Sequence, residues 1–180
     1  CAMFGVKYGS IKNRFKKEGD KDFTEIPDGV AHFLEHKLFE SETGDAFAKY
    51  AKTGANANAF TSFDKTCYIF TATDKIDESL DILLSFVTTP YFTPQTVEKE
   101  QGIIGQEIKM YDDSANWRLL FGVLEGLFVK HTVRDDIAGT VESISHITDK
   151  MLYDCAKAFY SPSQMLLAVA GNITADRVLA

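Results

Sequence analysis

The sequence predicts an α+β fold in which a mixed, largely antiparallel sheet is covered by helices. Strand-like segments stand at both ends of the chain with a hairpin pattern between them, and the stretches separating them repeat apolar residues at helical intervals. Residues 1–10 read as an opening strand, followed by a polar loop to Asp28. A helix then runs to about Glu40, with Asp28 after Pro27 as its N-cap and Val30, Phe33, Leu34 and Leu38 on its apolar side. A second helix over 44–52 is closed by Gly54. Segments 57–62 and 66–73, joined by Phe63-Asp64-Lys65, form the hairpin. Helices follow over 77–88, 93–111, 114–129 and 148–159, before a strand over 165–170. The 93–111 helix is the best marked. Thr93 caps it, Pro94 occupies its first turn, Ile103, Ile104, Ile108 and Met110 form its apolar side, and Gly102 and Gly105 permit close packing.

With 180 residues and 45% hydrophobic content the chain suffices for one domain with a core, spanning 1–180, and leaves no room for a second. It opens on a strand already in progress and stops where Thr174 caps a helix barely begun, so it reads as a fragment of a longer protein whose signal peptide is neither visible nor excluded. A net charge of −7 argues against nucleic-acid and anionic-membrane partners, and the basic run from Lys12 to Lys17, read as a solvated hairpin tip, is too short to alter that. No apolar run is long enough to span a bilayer. Cys1, Cys67 and Cys155 are odd in number, widely spaced and lack a C-x-x-C, so neither a disulfide framework nor a cysteine zinc site is indicated and a reducing cytoplasm is the expected location.

The chemistry lies in His32-Phe33-Leu34-Glu35-His36. On a helix His32 and His36 stand one turn apart on one face with Glu35 at its edge, so two imidazoles can hold a zinc ion while a carboxylate serves as base. A catalytic zinc takes a third protein ligand and leaves a position to water. Glu107 is the candidate, on the 93–111 helix. Glu100 lies seven residues before it on the same stripe, as a supporting carboxylate. His131 and His146 have no second ligand at useful spacing and read as surface or capping residues. Trp117 and the Phe121, Leu124, Phe128 stripe read as core, and Arg134 as a charge partner of Asp135 and Asp136.

The reversed motif His32-x-x-Glu35-His36, followed by Glu107 in a Glu-x6-Glu pattern, resembles the inverzincin zinc metallopeptidases: pitrilysin, insulin-degrading enzyme and mitochondrial processing peptidase. Gly54 through Tyr68 is similar to that family's Asn-Ala-x-Thr edge strand, and Arg134 through Ile144, Tyr160-Ser161-Pro162-Ser163 and the strand up to Gly171 extend the likeness over nearly the whole chain. The run from Glu98 to Ile108 is most like small bacterial members of processing type. The resemblance implies one half of a two-domain clamshell, an N-terminal metallopeptidase-like domain that pairs with a second related half, or with a homologous subunit, to enclose a peptide.

It further implies one Zn2+ per chain held by His32, His36 and Glu107, Glu35 as catalytic base, and Asn58, Ala59, Phe60 and Thr61 as an edge strand that takes a peptide substrate by strand addition, Asn58 orienting the scissile amide. The activity expected is zinc-dependent endopeptidase. Two alternatives stay open: a non-catalytic or regulatory peptidase-like subunit that binds a partner or peptide, and a zinc-stabilised interaction domain.

Overall fold

A computed structural model describes residues 1–17 and 19–179; Glu18 and Ala180 lie outside them. Strand β1 (Ala2–Val6) buries Ala2, Phe4 and Val6, the alternation of a strand covered on one face. It ends before the expected Ser10 because Tyr8 N donates back to Val6 O and Gly9 is pressed against the 62–65 turn, where a Cβ would lie 2.5 Å from Ser62 O. The following loop holds a short antiparallel pair, β2 (Arg14–Phe15) and β3 (Thr24–Glu25). The basic run is therefore partly strand and not a hairpin tip: Phe15 is buried edge-on against Phe159, and Lys17 pairs with Asp154 at 2.7 Å.

Helix α1 (Val30–Leu38) is buried at every residue except His36. Its cap is not Asp28. Gly29 takes that place with φ 91° and no side-chain bond, because the 138–139 backbone presses against the start of the helix. A small hairpin, β4 (Glu40–Ser41) with β5 (Gly44–Asp45), delays α2 (Ala46–Thr53), which Asp45 caps by accepting from Phe47 N at 2.7 Å; Gly54, at φ 73°, closes it as predicted. The predicted hairpin is β6 (Asn56–Thr61) and β7 (Thr66–Thr71), and α3 (Ile76–Thr88) follows.

Helix α4 (Pro94–Asp112) begins as the sequence prescribes, with Thr93 and Thr96 exchanging side-chain bonds to each other's backbone N–H. Its buried side is Val97, Ile104 and Ile108. Ile103 and Met110 are exposed, and nothing approaches Gly102 or Gly105 closely, so the close packing expected there does not occur. Helix α5 (Ala115–Leu127), capped by Ser114, departs further from expectation. Of the supposed core stripe only Phe121 is buried, because α5 packs chiefly against α4 and a 3-10 turn, Thr132–Arg134, and leaves its other side open. A five-residue helix, α6 (Val141–Ser145), too short for a periodic signal, precedes α7 (Asp149–Phe159), β8 (Met165–Val169) and α8 (Ala175–Leu179).

The main sheet runs β6-β7-β1-β8 with every ladder antiparallel. Helices cover the face that bears Phe4, Tyr68 and Phe70; on the other face Leu166 is 71% exposed. This is the expected helix-covered sheet, and β6 is one of its edges. Among the described residues no helix is long and apolar enough to cross a membrane.

The start of α1 is set by a backbone contact. A Cβ at Gly29 would lie 2.5 Å from Ala138 O, and φ 91° is itself unfavourable for other residues. Gly29→Ala is expected to cost about 2 kcal/mol or more of folding stability by chemical denaturation; a change near zero would show that the contact is soft.

Candidate metal centre

Three elements meet at one end of α1. The helix brings His32 and His36 to one face, α4 lies across it and presents Glu107 and Glu100, and the β6 edge runs alongside. His32, His36 and Glu107 each offer a ligand atom, and these atoms lie within 4.8 Å of one another. His36 Nε2 is 3.4 Å from Glu107 Oε2, and His32 Nε2 is 3.7 Å from Glu107 Oε1. The second distance is too long for a hydrogen bond. Both approximate the spacing of about 3.4 Å between ligand atoms placed tetrahedrally around zinc at ordinary bond lengths.

The tautomer of His36 fits the same reading: in the neutral ring Nε2 is the free nitrogen, and a metal there would have to displace the proton that the neighbouring carboxylates favour. His36 Nδ1 stands 3.0 Å from Glu100 Oε1, and an acceptor carboxylate there requires the proton on Nδ1, leaving the Nε2 lone pair toward Glu107. Burial works against a charged His36, but the bond to and charge of Glu100, then Glu107 and Glu35, outweigh it and raise its pKa. Burial also opposes ionisation of Glu100, and the His36 bond and charge reverse this and lower its pKa. His32 is driven the other way, to about 4, by burial first and by His36 second, so it is a neutral imidazole at neutral pH. Its Nδ1 is buried without a hydrogen-bond partner. A buried imidazole with neither nitrogen bonded is anomalous for a structural histidine. A Lewis acid at Nε2, the nitrogen that faces Glu107 Oε1 without a hydrogen bond, would give this ring one strong interaction, and two imidazoles with a carboxylate are a donor set that fits zinc.

Glu35 stands beside the triplet and not within it. It is buried, and Thr61 Oγ1 donates to its Oε2 at 2.6 Å. Burial raises its carboxyl pKa against the opposing pull of that bond and of His36. Thr61 therefore touches the expected base, beyond the substrate role read for the strand. His32, Glu35, His36, Ala59, Phe60, Thr61 and Glu107 line a common pocket of about 180 Å3. Asn58 does not. Its side chain is exposed and its Oδ1 accepts from the Ala59 N–H at 2.9 Å. Because Ser62 N donates to Lys65 O, alternation turns the N–H and C=O of Ala57, Ala59 and Thr61 outward, so Asn58 occupies one donor of the free edge.

Sequence reasoning missed the opposite wall. Tyr111 Oη donates to Glu107 Oε1 at 2.5 Å and Trp117 stacks on Tyr111, both lining the pocket with Ile137 and Ala138. Tyr111 was detectable one turn after Glu107; Trp117, set aside as core, carried no local sign. Arg134 bonds to Val129 O and not to its acidic neighbours, and Asp136 instead accepts from Trp117 Nε1. His131 caps a 3-10 turn and His146 ends α6, away from the site as expected.

The description "Insulinase (Peptidase family M16)" matches residues 23–141. The chain belongs to this family. It is 56% identical to "Uncharacterized zinc protease YmfH" of Bacillus subtilis over 99% of its own length and 42% of that protein's. Among solved structures, an M16-like peptidase from Alicyclobacillus acidocaldarius superposes with a TM-score of 0.94 at 45% identity, over 99% of this chain and 42% of the other. The M16 chain thus spans about two fifths of the length of these relatives. A peptidase M16 inactive domain from Pseudomonas fluorescens also shares the fold, with a TM-score of 0.80 at 17% identity over 98% of this chain and 42% of that one. Likeness at that level speaks for the fold alone.

Burial raises the Glu35 carboxyl, so the folded chain holds that proton more tightly than the unfolded chain. Stability is accordingly lost as pH rises through the raised value, where a charge must be kept inside. In the metal-free protein Glu35→Gln is expected to raise the unfolding midpoint above neutrality and to do so less in mild acid, where the native carboxyl is itself neutral. A variant no more stable than wild type at high pH would contradict this.

Proposed function

We propose that this M16 chain is the metal-bearing half of a zinc-dependent endopeptidase. His32, His36 and Glu107 would hold the ion, with Glu35 as base and Glu100 orienting His36. One observation carries the reading: Nε2 of a buried His32 that no hydrogen bond reaches and Nε2 of His36 converge on the Glu107 carboxylate, with the buried Glu35 beside them.

Zinc bound there would polarise the scissile carbonyl and bring the pKa of a water molecule toward neutrality. Thr61 engages Glu35 Oε2, which would leave Oε1 free to take a proton from an attacking water as its oxygen adds to the carbonyl carbon. Glu35 then delivers the proton to the nitrogen of the leaving amine as the C–N bond breaks. Its raised pKa strengthens it as the base of the first step, and a carboxyl brought nearer to neutrality can act in both directions of proton transfer. The outward N–H and C=O groups of Ala57, Ala59 and Thr61 would align an extended peptide by strand addition. Asn58 must release the Ala59 N–H for this, after which its amide can orient the scissile bond.

The chain's coverage of about two fifths of its relatives supports a second half, in a longer chain or a homologous subunit, that completes the peptide chamber. A cytoplasmic location belongs to the same proposal, supported by three unpaired cysteines. The second reading is a non-catalytic subunit. It is favoured by the occupied edge donor at Ala59 and by the occurrence of this fold in an inactive domain.

Hydrolysis of a mixed-sequence peptide library by the purified protein separates them. Glu35→Gln is expected to retain zinc while cleavage falls about 10²–10⁴-fold. Undiminished cleavage in the variant would remove Glu35 as the base, and no cleavage by zinc-loaded wild type, assayed with its second half present because this chain alone is expected to be inactive, would favour the non-catalytic subunit.

A further inference from the structure

A glutamate has enough side-chain freedom that its presence on α4 does not set the plane of its carboxylate. In this protein that plane is held. Tyr111 Oη donates to Glu107 Oε1 at 2.5 Å, the oxygen facing His32, and leaves Oε2 turned to His36. The Tyr111 ring is in turn stacked on Trp117, centroids 4.5 Å apart and planes 16° from parallel. Trp117 cannot slide, because its Nε1 donates to Asp136 Oδ2 at 2.5 Å. The second oxygen of Asp136 is also engaged, accepting from Ala138 N at 2.9 Å.

The loop carrying Asp136 is seated on the helix that bears the histidines. A Cβ at Gly139 would lie 2.5 Å from Asp28 O, one at Gly29 would lie 2.5 Å from Ala138 O, and Ser143 Oγ donates to Asp28 O at 2.9 Å. The contacts therefore close a ring that starts at the N-terminus of α1, passes through the 136–139 loop, Trp117, Tyr111 and Glu107, and returns to α1 at His32 and His36.

We infer that Asp136, Trp117 and Tyr111 are a positioning relay that holds the Glu107 carboxylate in register with the two histidines. The inference rests on Glu107 being the third ligand, as proposed above. Through Trp117, Asp136 and the 136–139 loop the relay ties Tyr111 and Glu107, both on α4, to the N-terminus of α1, and so opposes a shift of α4 along α1. Its members act through Glu107 and touch neither substrate nor reacting atoms.

The test is zinc affinity, measured by competition with a chromophoric chelator in the full chain, with circular dichroism and the metal-free unfolding midpoint recorded for every variant. Tyr111→Phe keeps the ring and its stack on Trp117 and removes only the hydroxyl; it is expected to weaken zinc binding about 10–100-fold. Asp136→Asn can satisfy only one of the two N–H donors that the carboxylate satisfies, and is expected to weaken binding by a smaller factor. In the Tyr111→Phe background Asp136→Asn should have no further effect, because the relay is already cut.

Three results would overturn the inference, and they are distinguishable. If Glu107→Gln binds zinc as wild type does, the ligand reading itself fails. If Glu107→Gln loses zinc but Tyr111→Phe keeps wild-type affinity, the ligand stands and the relay falls. If Asp136→Asn weakens binding by the same factor with and without Tyr111, it acts by another route. Loss of zinc with retained dichroism and an unshifted midpoint is the signature of positioning, which a merely structural role does not produce.

Discussion

Helix α1 places His32, Glu35 and Lys37 inside the protein and His36 at its edge, and an ionisable group removed from water requires a partner. The surroundings of α1 read as the set of those partners. Glu100 on α4 meets His36, Thr61 on β6 meets Glu35, and Glu40 on β4 meets the fully buried Lys37. His32 is left without a hydrogen bond among the described residues: its Nδ1 is buried and unpartnered, and its Nε2 faces Glu107 at 3.7 Å. Buried charged networks are weak sources of stability, so their accumulation on one helix is better explained by the geometry they impose than by the folding energy they add.

That geometry is fixed by packing on both sides. Phe33, Leu34 and Leu38 anchor α1 in the core over the sheet, and the 138–139 backbone meets its first residues closely enough to exclude any Cβ at Gly29. The helix can neither rotate nor slide without breaking one of these contacts. The β6 edge beside it then has a defined position relative to the histidines, and Thr61 joins the two through Glu35. Fold and candidate site are one construction here, in which the same helix is both part of the core and the carrier of His32, Glu35 and His36.

Much of this was legible in the sequence because its causes are local. Histidines four apart share a helical face, Glu100 and Glu107 share another, and Thr93 caps its helix as its side chain dictates. The hairpin around Phe63-Asp64-Lys65 was equally plain. What was misread depends on contacts between distant segments. Asp28 is a good cap by composition, but the 138–139 backbone shifts the start of α1 to a glycine. The stripe of α5 has core periodicity, yet among the described residues little packs on most of it, and Leu127 is 70% exposed. Trp117 looked like core and turned out to hold Tyr111 against Glu107. Asn58 Oδ1 accepts from the N–H of Ala59 on its own strand edge, a contact that no spacing reveals.

The central claim is that His32, His36 and Glu107 form a zinc site within this one chain. Elemental analysis of the purified protein beside a His36→Ala variant tests it without a substrate. The account predicts about one zinc per chain in the wild type, lost in the variant, as expected when a catalytic site's ligand set is cut. No zinc in the wild type after incubation with the metal, or equal zinc in both proteins, would contradict it.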